Sequence, residues 1–354
     1  MREFKAPDEA RAQARAWDVI AAAFAEREPV PSRRRVPVRP LVALAVVGAL
    51  AGAAFTSPGH AVLTSVRKAV GIEHAQRELY SLPAHGRLLV GPWIVNSDGS
   101  TRRLGNYDET SWSPFGRFVV ATRGDTLYAL QSDGTVRWTL GRPVVRLPRW
   151  SGTRVDTRIA YFSGQRLRVV GGNGEGDREV GPAMGSASVA PAWRPGGAPF
   201  TLAYADIRGR VWVFEPETGR LLFRTHGGPA PLKLAWSPDG ARLLVLRART
   251  ADSYDARGRR VSHSSGRFVD AAFVGSRIAL LSPHAVALDG ATLFRTTGRL
   301  RQVIPSPDGR WLLLTWPQAD QWLFVRTAGH HRVTAVGNIA EQLGGGFAVD
   351  GWTS

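Results

Sequence analysis

The sequence predicts an all-β chain: a seven-bladed β-propeller preceded by a transmembrane helix and a short N-terminal amphipathic helix. Three observations carry this. A Trp-led turn followed by an apolar strand recurs along the C-terminal three quarters. The two ends of that region carry complementary fragments of one further repeat. Ahead of it lies an uncharged apolar run at residues 41–55.

The repeat reads as follows. Trp112-Ser-Pro-Phe-Gly-Arg precedes FVVAT, Trp150-Ser-Gly-Thr-Arg precedes RIAYF, and Trp193-Arg-Pro-Gly-Gly precedes FTLAYA. Trp236-Ser-Pro-Asp-Gly-Ala-Arg precedes LLVLR, Phe273-Val-Gly-Ser-Arg precedes IALLS, and Pro305-Ser-Pro-Asp-Gly-Arg precedes WLLLT. The lead positions are 38, 43, 43, 37 and 32 residues apart. A period near forty with several strands per unit is the signature of a propeller blade. Within each unit two more strands follow, joined by a Gly turn such as Ser132-Asp133-Gly134. Gly accepts the positive φ of such hairpins, and Pro238 and Pro307 sit where a fixed φ helps a turn.

Six leads give six blades. Residues 86–105 supply the back three strands of another, with no leading strand. Residues 345–352, GGFAVDGW, supply a leading strand with nothing after it. Joined, they make a seventh blade and leave no open sheet edge in the ring. The recurring Trp residues read as packing between blades.

The motif resembles the Trp-Ser-Pro-Asp-Gly unit of TolB-like and WD-repeat-like β-propellers. The likeness spans about residues 86–354, is close at Trp236–Arg242 and Ser306–Arg310, and is degenerate at Trp150, Trp193 and Phe273. The resemblance implies the architecture, in a bacterial single-span membrane protein. It implies no particular activity, because propellers host enzymes, scaffolds and sensors alike.

Fifteen helical residues at 41–55 cover about 22 Å, and extension over residues 40–57 brings this to about 27 Å, close to a hydrocarbon core. A buried core helix and a cleaved signal peptide are the alternatives; the roughly forty residues before the run exceed an ordinary signal n-region. Arg33, Arg34, Arg35 and Arg39 lie just before the run, Arg67 and Lys68 further after it. That asymmetry puts the N-terminus in the cytoplasm and the propeller outside, in a single-pass cell-membrane protein. Residues 58–85 read as a partly helical connector.

Residues 1–39 form a tail: an amphipathic helix at 8–27, then the Pro- and Arg-rich linker PVPSRRRVPVRP. Ala10, Ala14, Trp17, Ile20, Ala21 and Phe24 share one helical face. Residues 8–28 carry five acidic side chains and three Arg, a net of −2 that opposes an anionic lipid surface. A protein groove therefore suits this face, with Trp17, Ile20 and Phe24 as the partner-binding anchors; the bland alternative is an unpartnered tail, or a helix that folds back on its own dimer mate.

Composition closes several routes. The chain has 354 residues and 0 Cys, so Cys nucleophiles, Cys-ligated zinc and disulfides are excluded. Its charge is +17, but only three basic residues are Lys and no basic helix interleaves with aromatics, so a nucleic-acid partner is not expected. No serine-hydrolase elbow, zincin motif, EF-hand or P-loop occurs. Gly171–Gly176 follows a strand and precedes no helix, so it reads as a hairpin tip. His330-His331 would point to opposite faces of a strand. Asp98, Asp133, Asp239 and Asp308 recur in turns and read as turn caps. No cofactor, metal or catalytic residue is expected. The function this supports is a membrane-anchored, extracytoplasmic, non-catalytic binding, scaffold or sensing module. Two alternatives stand beside it: a transmembrane regulator of anti-sigma-factor type holding a cytoplasmic partner through residues 8–27, and a propeller enzyme, lyase or hydrolase.

Overall fold

The computed structural model describes residues 72–76, 81–329, 332–345 and 348–354. They form seven sheets, antiparallel throughout except for one added edge strand. Blades 1 to 6 open with the innermost strands Glu109–Trp112, Val145–Gly152, Ala192–Trp193, Lys233–Trp236, Asp270–Val274 and Gln302–Pro305. Blade 7 takes its innermost strand, Val349–Thr353, from the far end of the chain and its other three from Arg87–Val90, Trp93–Asn96 and Thr101–Arg103. The innermost strands neighbour one another in cyclic order, and Val349–Thr353 lies between blades 6 and 1. The seven-bladed count and the shared closing blade are as the sequence predicts.

The turns explain why these segments stop and reverse. In Ser-Pro-Asp-Gly of blade 4, the Asp239 carboxylate accepts the Ala241 N–H at 3.0 Å, and Ser237 Oγ accepts the Arg242 N–H at 2.9 Å. Blade 6 repeats the arrangement with Asp308 to Arg310 at 3.0 Å and Ser306 to Trp311 at 2.9 Å. Gly240 and Gly309 both sit at φ 67°, which a side chain would strain. Asp98 and Asp133 cap their hairpins in the same way, at 2.9 and 2.8 Å. All four carboxyls serve turns, as expected. Residues 171–176 join two strands of blade 2, also as expected.

The core is divided into seven clusters, one at each blade interface. Trp112 packs with Leu89, Ile94, Val119 and Ala121 between blades 7 and 1. Trp150 packs between blades 1 and 2, Trp193 between 2 and 3, and Trp236 between 3 and 4. Phe273 takes that place between blades 4 and 5. Trp352 packs beside Leu313 and Phe324 between blades 6 and 7. Each buried side chain of this size contributes about 1.5–3 kcal/mol.

A polar contact spans every interface as well. Glu109 accepts the Leu147 N–H (blades 1 and 2), Trp193 Nε1 donates to the Arg149 carbonyl at 2.9 Å, and Arg194 Nε donates to the Gly240 carbonyl at 2.7 Å. Lys233 Nζ lies 2.8 Å from Asp270, whose other oxygen accepts the Val303 N–H at 2.8 Å. The Gln302 amide exchanges two bonds with the Val349 backbone, at 3.0 and 3.2 Å. Thr110 Oγ1 donates to Asp350 at 2.6 Å, which joins blade 7 to blade 1.

Two elements depart from expectation. Within the connector, Ile72–Gln76 is a strand, not a helix, and pairs in parallel with Val333–Gly337 at the outer edge of blade 6. An outermost strand leaves a row of unpaired N–H and C=O groups, and a fifth strand satisfies them. Before the closing strand the chain also makes a short helix, Ile339–Leu343, which buries Ile339 and Leu343. Among the described residues no helix is long and apolar enough to cross a membrane. The expected span at residues 40–57 and the amphipathic helix at 8–27 lie outside the described residues.

Gly86 shows how tightly the ends meet. It sits at φ 114°, and a Cβ there would fall 2.3 Å from the Thr353 carbonyl. Deleting residues 343–354 removes the inner strand of blade 7 and should yield a chain that aggregates or melts without cooperativity. Gln302→Ala, which keeps the strand but loses both its bonds to Val349, should cost about 1–3 kcal/mol in denaturant melts. A truncated chain that melts like the full one would show that closure does not hold the ring.

Candidate functional site

The most distinctive surface lies at the turns of blades 1 to 3. Where blades 4 and 6 carry Ser-Pro-Asp-Gly, blade 1 carries Ser113-Pro114-Phe115-Gly116. The backbone turn survives: Ser113 N–H bonds the Phe118 carbonyl, and Phe118 N–H bonds Ser113 Oγ, both at 2.8 Å. The bracing carboxylate is gone. Phe115 takes its place in the left-handed region at φ 65°, uncommon for a bulky residue, and the residue is 57% exposed. In blade 2 the corresponding turn exposes Val155 to 95%.

Two hollows adjoin here. One, of about 560 Å³, is lined by Trp150, Trp193 and Trp236 with Phe115 and Arg149. The other, of about 640 Å³, is lined by Phe115, Phe118, Arg117, Arg137, Arg154 and Val155. They share Pro114, Phe115, Trp150 and Thr153, and no Asp or Glu side chain lines either. The guanidiniums lie on rings: Arg137 and Arg117 sit 4.3 and 5.1 Å from the Phe118 centroid, and Arg154 sits 5.1 Å from that of Phe115. Phe118 in turn stacks on Trp150 at 5.9 Å and 17°.

Toward the axis, inner-strand residues Glu109, Arg149 and Asp350 form a second polar group. Asp350 keeps accessible surface yet has protein packed around it, the situation of a side chain on a narrow channel. Desolvation pushes its carboxyl up to about 6, against the Thr110 hydrogen bond and the Arg149 charge. Desolvation also lowers the Arg149 guanidinium, which Asp350 and Glu109 partly offset. In blade 2, burial works to raise the Asp177 carboxyl, but bonds from Arg168, Tyr161 and Arg142 outweigh it and hold it low.

No family model matches the chain, and no curated protein matches it. Among solved structures, a chain in "Crystal Structure of Mitotic Checkpoint Complex" is similar over 63% of this chain and 74% of its own, with a TM-score of 0.53 and 13% identity. The structure titled "Structure of Dos1 propeller" matches over 63% and 70%, at TM-score 0.50 and 12% identity. Hsv2 of Kluyvelomyces marxianus matches over 69% and 89%, at TM-score 0.50 and 9% identity. The chain is a seven-bladed β-propeller. At these identities the likeness shows the fold alone.

The propeller holds one arrangement that sequence reasoning missed. In blade 4, His263 Nδ1 lies 2.7 Å from Asp252, and its Nε2 lies 2.9 Å from Ser265 Oγ. That is the order of a Ser-His-Asp relay. Its setting differs from an acyl-transfer site. Asp252 also faces Arg260 at 3.5 Å and Arg247 at 3.9 Å. The N–H after the serine, at Gly266, is already bonded to the Arg249 carbonyl at 3.0 Å and so is not free as an oxyanion donor. The cluster ties the strand Arg260–Ser265 to Thr250–Asp255. No short motif announces it, because Asp252 and His263 meet only through strand register.

The anchors named from the sequence, Trp17, Ile20 and Phe24, lie outside the described residues, as does His330-His331. Among the described residues no three His, Asp or Glu side chains are grouped to hold a metal ion. The Phe115 hollow did leave a trace in the sequence: a Phe in the Asp position of the repeat.

Asp350 gives a pH test. Its folded pKa is raised, so its contribution to stability is full below the ordinary carboxylate value near 3.9 and is lost as pH rises through about 6. The melting temperature of the native chain minus that of Asp350→Asn should fall across this window. After discounting for solvent screening the change is under about 1 kcal/mol, at most about 2–4 °C. A pH-independent difference would contradict the raised carboxyl.

Proposed function

We propose that this chain is a membrane-anchored, extracytoplasmic β-propeller that works as a binding module and performs no catalysis. The observation that carries the binding reading is the pair of hollows at the turns of blades 1 to 3. There, exposed apolar side chains and carboxylate-free arginines replace the braced acidic turns of blades 4 and 6. Aromatic and Arg side chains beside a concave surface are the composition of interaction hot spots. Phe115 and Val155 expose apolar area that contributes nothing to the core.

The anchor rests on the uncharged run at residues 41–55 and on Arg33, Arg34, Arg35 and Arg39 before it. Protease added to intact spheroplasts should remove the propeller and leave residues 1–39 protected. Recovery of the whole chain in the soluble fraction without detergent would refute the anchor. A mature N-terminus near residue 54 or 62 would assign the run to a cleaved signal.

The non-catalytic reading rests on the missing nucleophile motifs and on the occupied Gly266 N–H. A fluorophosphonate probe should leave Ser265 unlabelled. Labelling abolished by His263→Ala would make this propeller a hydrolase.

A further inference from the structure

We infer that the hollows between the turns of blades 1, 2 and 3 bind a short acidic peptide, with an apolar side chain set among its Asp and Glu residues. This deepens the binding-module reading and rests on it.

The first argument is the break in the repeat. Blades 4 and 6 keep an Asp at the third turn position, where it accepts a main-chain N–H. Blade 1 gives up that hydrogen bond and holds Phe115 at positive φ with its ring in solvent. Both changes disfavour folding, and rule-breaking without a folding gain is expected at functional positions. The substitution also removes a negative charge at that turn.

The second argument is charge complementarity. Arg117, Arg137 and Arg154 are exposed, and among the described residues none has a carboxylate within ion-pair distance. Elsewhere in blades 2 and 3 several arginines are paired, Arg142 and Arg168 with Asp177, Arg166 with Glu179 and Arg220 with Glu215, while among the described residues Arg208 and Arg224 meet no carboxylate either. Contact with the Phe118 and Phe115 rings holds the guanidiniums beside the hollows before any ligand arrives. A planar fork held in this way suits a carboxylate, which accepts two parallel N–H bonds. The charged side chains that line the hollows are all Arg, with no Asp or Glu and with Ser354 beside them in the second, and this favours an anionic partner.

The third argument is shape. Two adjoining volumes of about 560 and 640 Å³ match a few side chains, not a folded surface. The apolar walls from Trp150, Trp193 and Val155 call for an aliphatic or aromatic anchor between the charges. A single nucleic-acid strand fits less well. It finds ring faces here but also needs a continuous basic track, and Arg117, Arg137 and Arg154 stand around one hollow only, with Arg149 alone in the other.

The test selects from a display library of random octapeptides on the full chain in detergent. Enriched sequences should be rich in Asp and Glu around one Leu, Ile, Phe or Trp. Anisotropy with the best of them should show binding weakened about tenfold or more by Arg137→Gln with Arg154→Gln, the loss of about 1.4 kcal/mol. Phe115→Gly should weaken it too, while leaving the melting curve unshifted or raised. Arg137→Glu with Arg154→Glu should redirect selection toward Lys-bearing peptides. The inference falls if the selected peptides are neutral or basic, if acidic peptides bind equally well to these variants, or if a single-stranded oligonucleotide displaces them as the tighter ligand. In each of those outcomes the chain still binds something, and the binding-module reading stands. A selection that enriches nothing, together with no capture by a photocrosslinker at position 155 in intact cells, overturns both.

Discussion

A propeller stands or falls with the contact between its first and last blades. Six blades of this chain are continuous in sequence, but the seventh is not. Its inner strand comes from Val349–Thr353 and its other strands from residues 87–103. Without that strand, Leu88, Leu89 and Val90, all fully buried, would face an open edge. Burial of that kind is worth about 1.5–3 kcal/mol per side chain. It is realised only when the far end of the chain returns. The Gln302 clamp on Val349 and the bond from Thr110 to Asp350 hold the strand from both neighbouring blades. Gly86 is required because the returning Thr353 carbonyl occupies the space of a Cβ.

Packing and polar contacts divide the work. The seven apolar clusters supply the free energy, and six of them are built alike: a large ring from one inner strand enters the gap between two sheets, while between blades 5 and 6 mainly aliphatic residues fill that gap. Such packing sets distance but tolerates sliding. The polar contacts differ from joint to joint: a carboxylate on an N–H, an indole on a carbonyl, a Lys-Asp pair, an amide clamp. Each has a partner only in one register. The repeat therefore fixes the architecture while the irregular residues fix the order of assembly.

This division explains what could be read in the sequence. The blade number was legible because turn chemistry is local: Ser, Pro, Asp and Gly within one turn satisfy one another, so the pattern survives in the letters. Trp112, Trp150, Trp193 and Trp236 were legible as inter-blade packing because they recur at the same place. The strand Ile72–Gln76 was not, since its pairing with Val333–Gly337 depends on an edge created by residues some 260 positions away. The channel group of Glu109, Arg149 and Asp350 was hidden for the same reason. Three blades contribute one residue each, and nothing near any of them in sequence marks it as ionisable in a crowded setting. Asp252, His263 and Ser265 were likewise unremarkable letters until strand register set them side by side.

The most informative letters turn out to be those where the repeat degrades. A degenerate unit can mean relaxed constraint, and relaxed constraint predicts small polar residues at an exposed turn. Blade 1 does the opposite. Its turn keeps Ser113, Pro114 and Gly116, with the hydrogen bonds that make the reversal, and changes only the residue whose side chain faces out. Phe115 there carries the cost of a left-handed backbone without the turn bond that an Asp would make. In blade 2 an exposed Val155 follows, beside an Arg154 laid on the Phe115 ring. Two neighbouring turns thus gain exposed apolar area together, around walls built from the same Trp residues that pack the core. Core rings at the base, ring-stacked cations at the rim and a one-residue departure from the repeat are enough to turn a structural turn into a recognition surface, with no change to the fold beneath it.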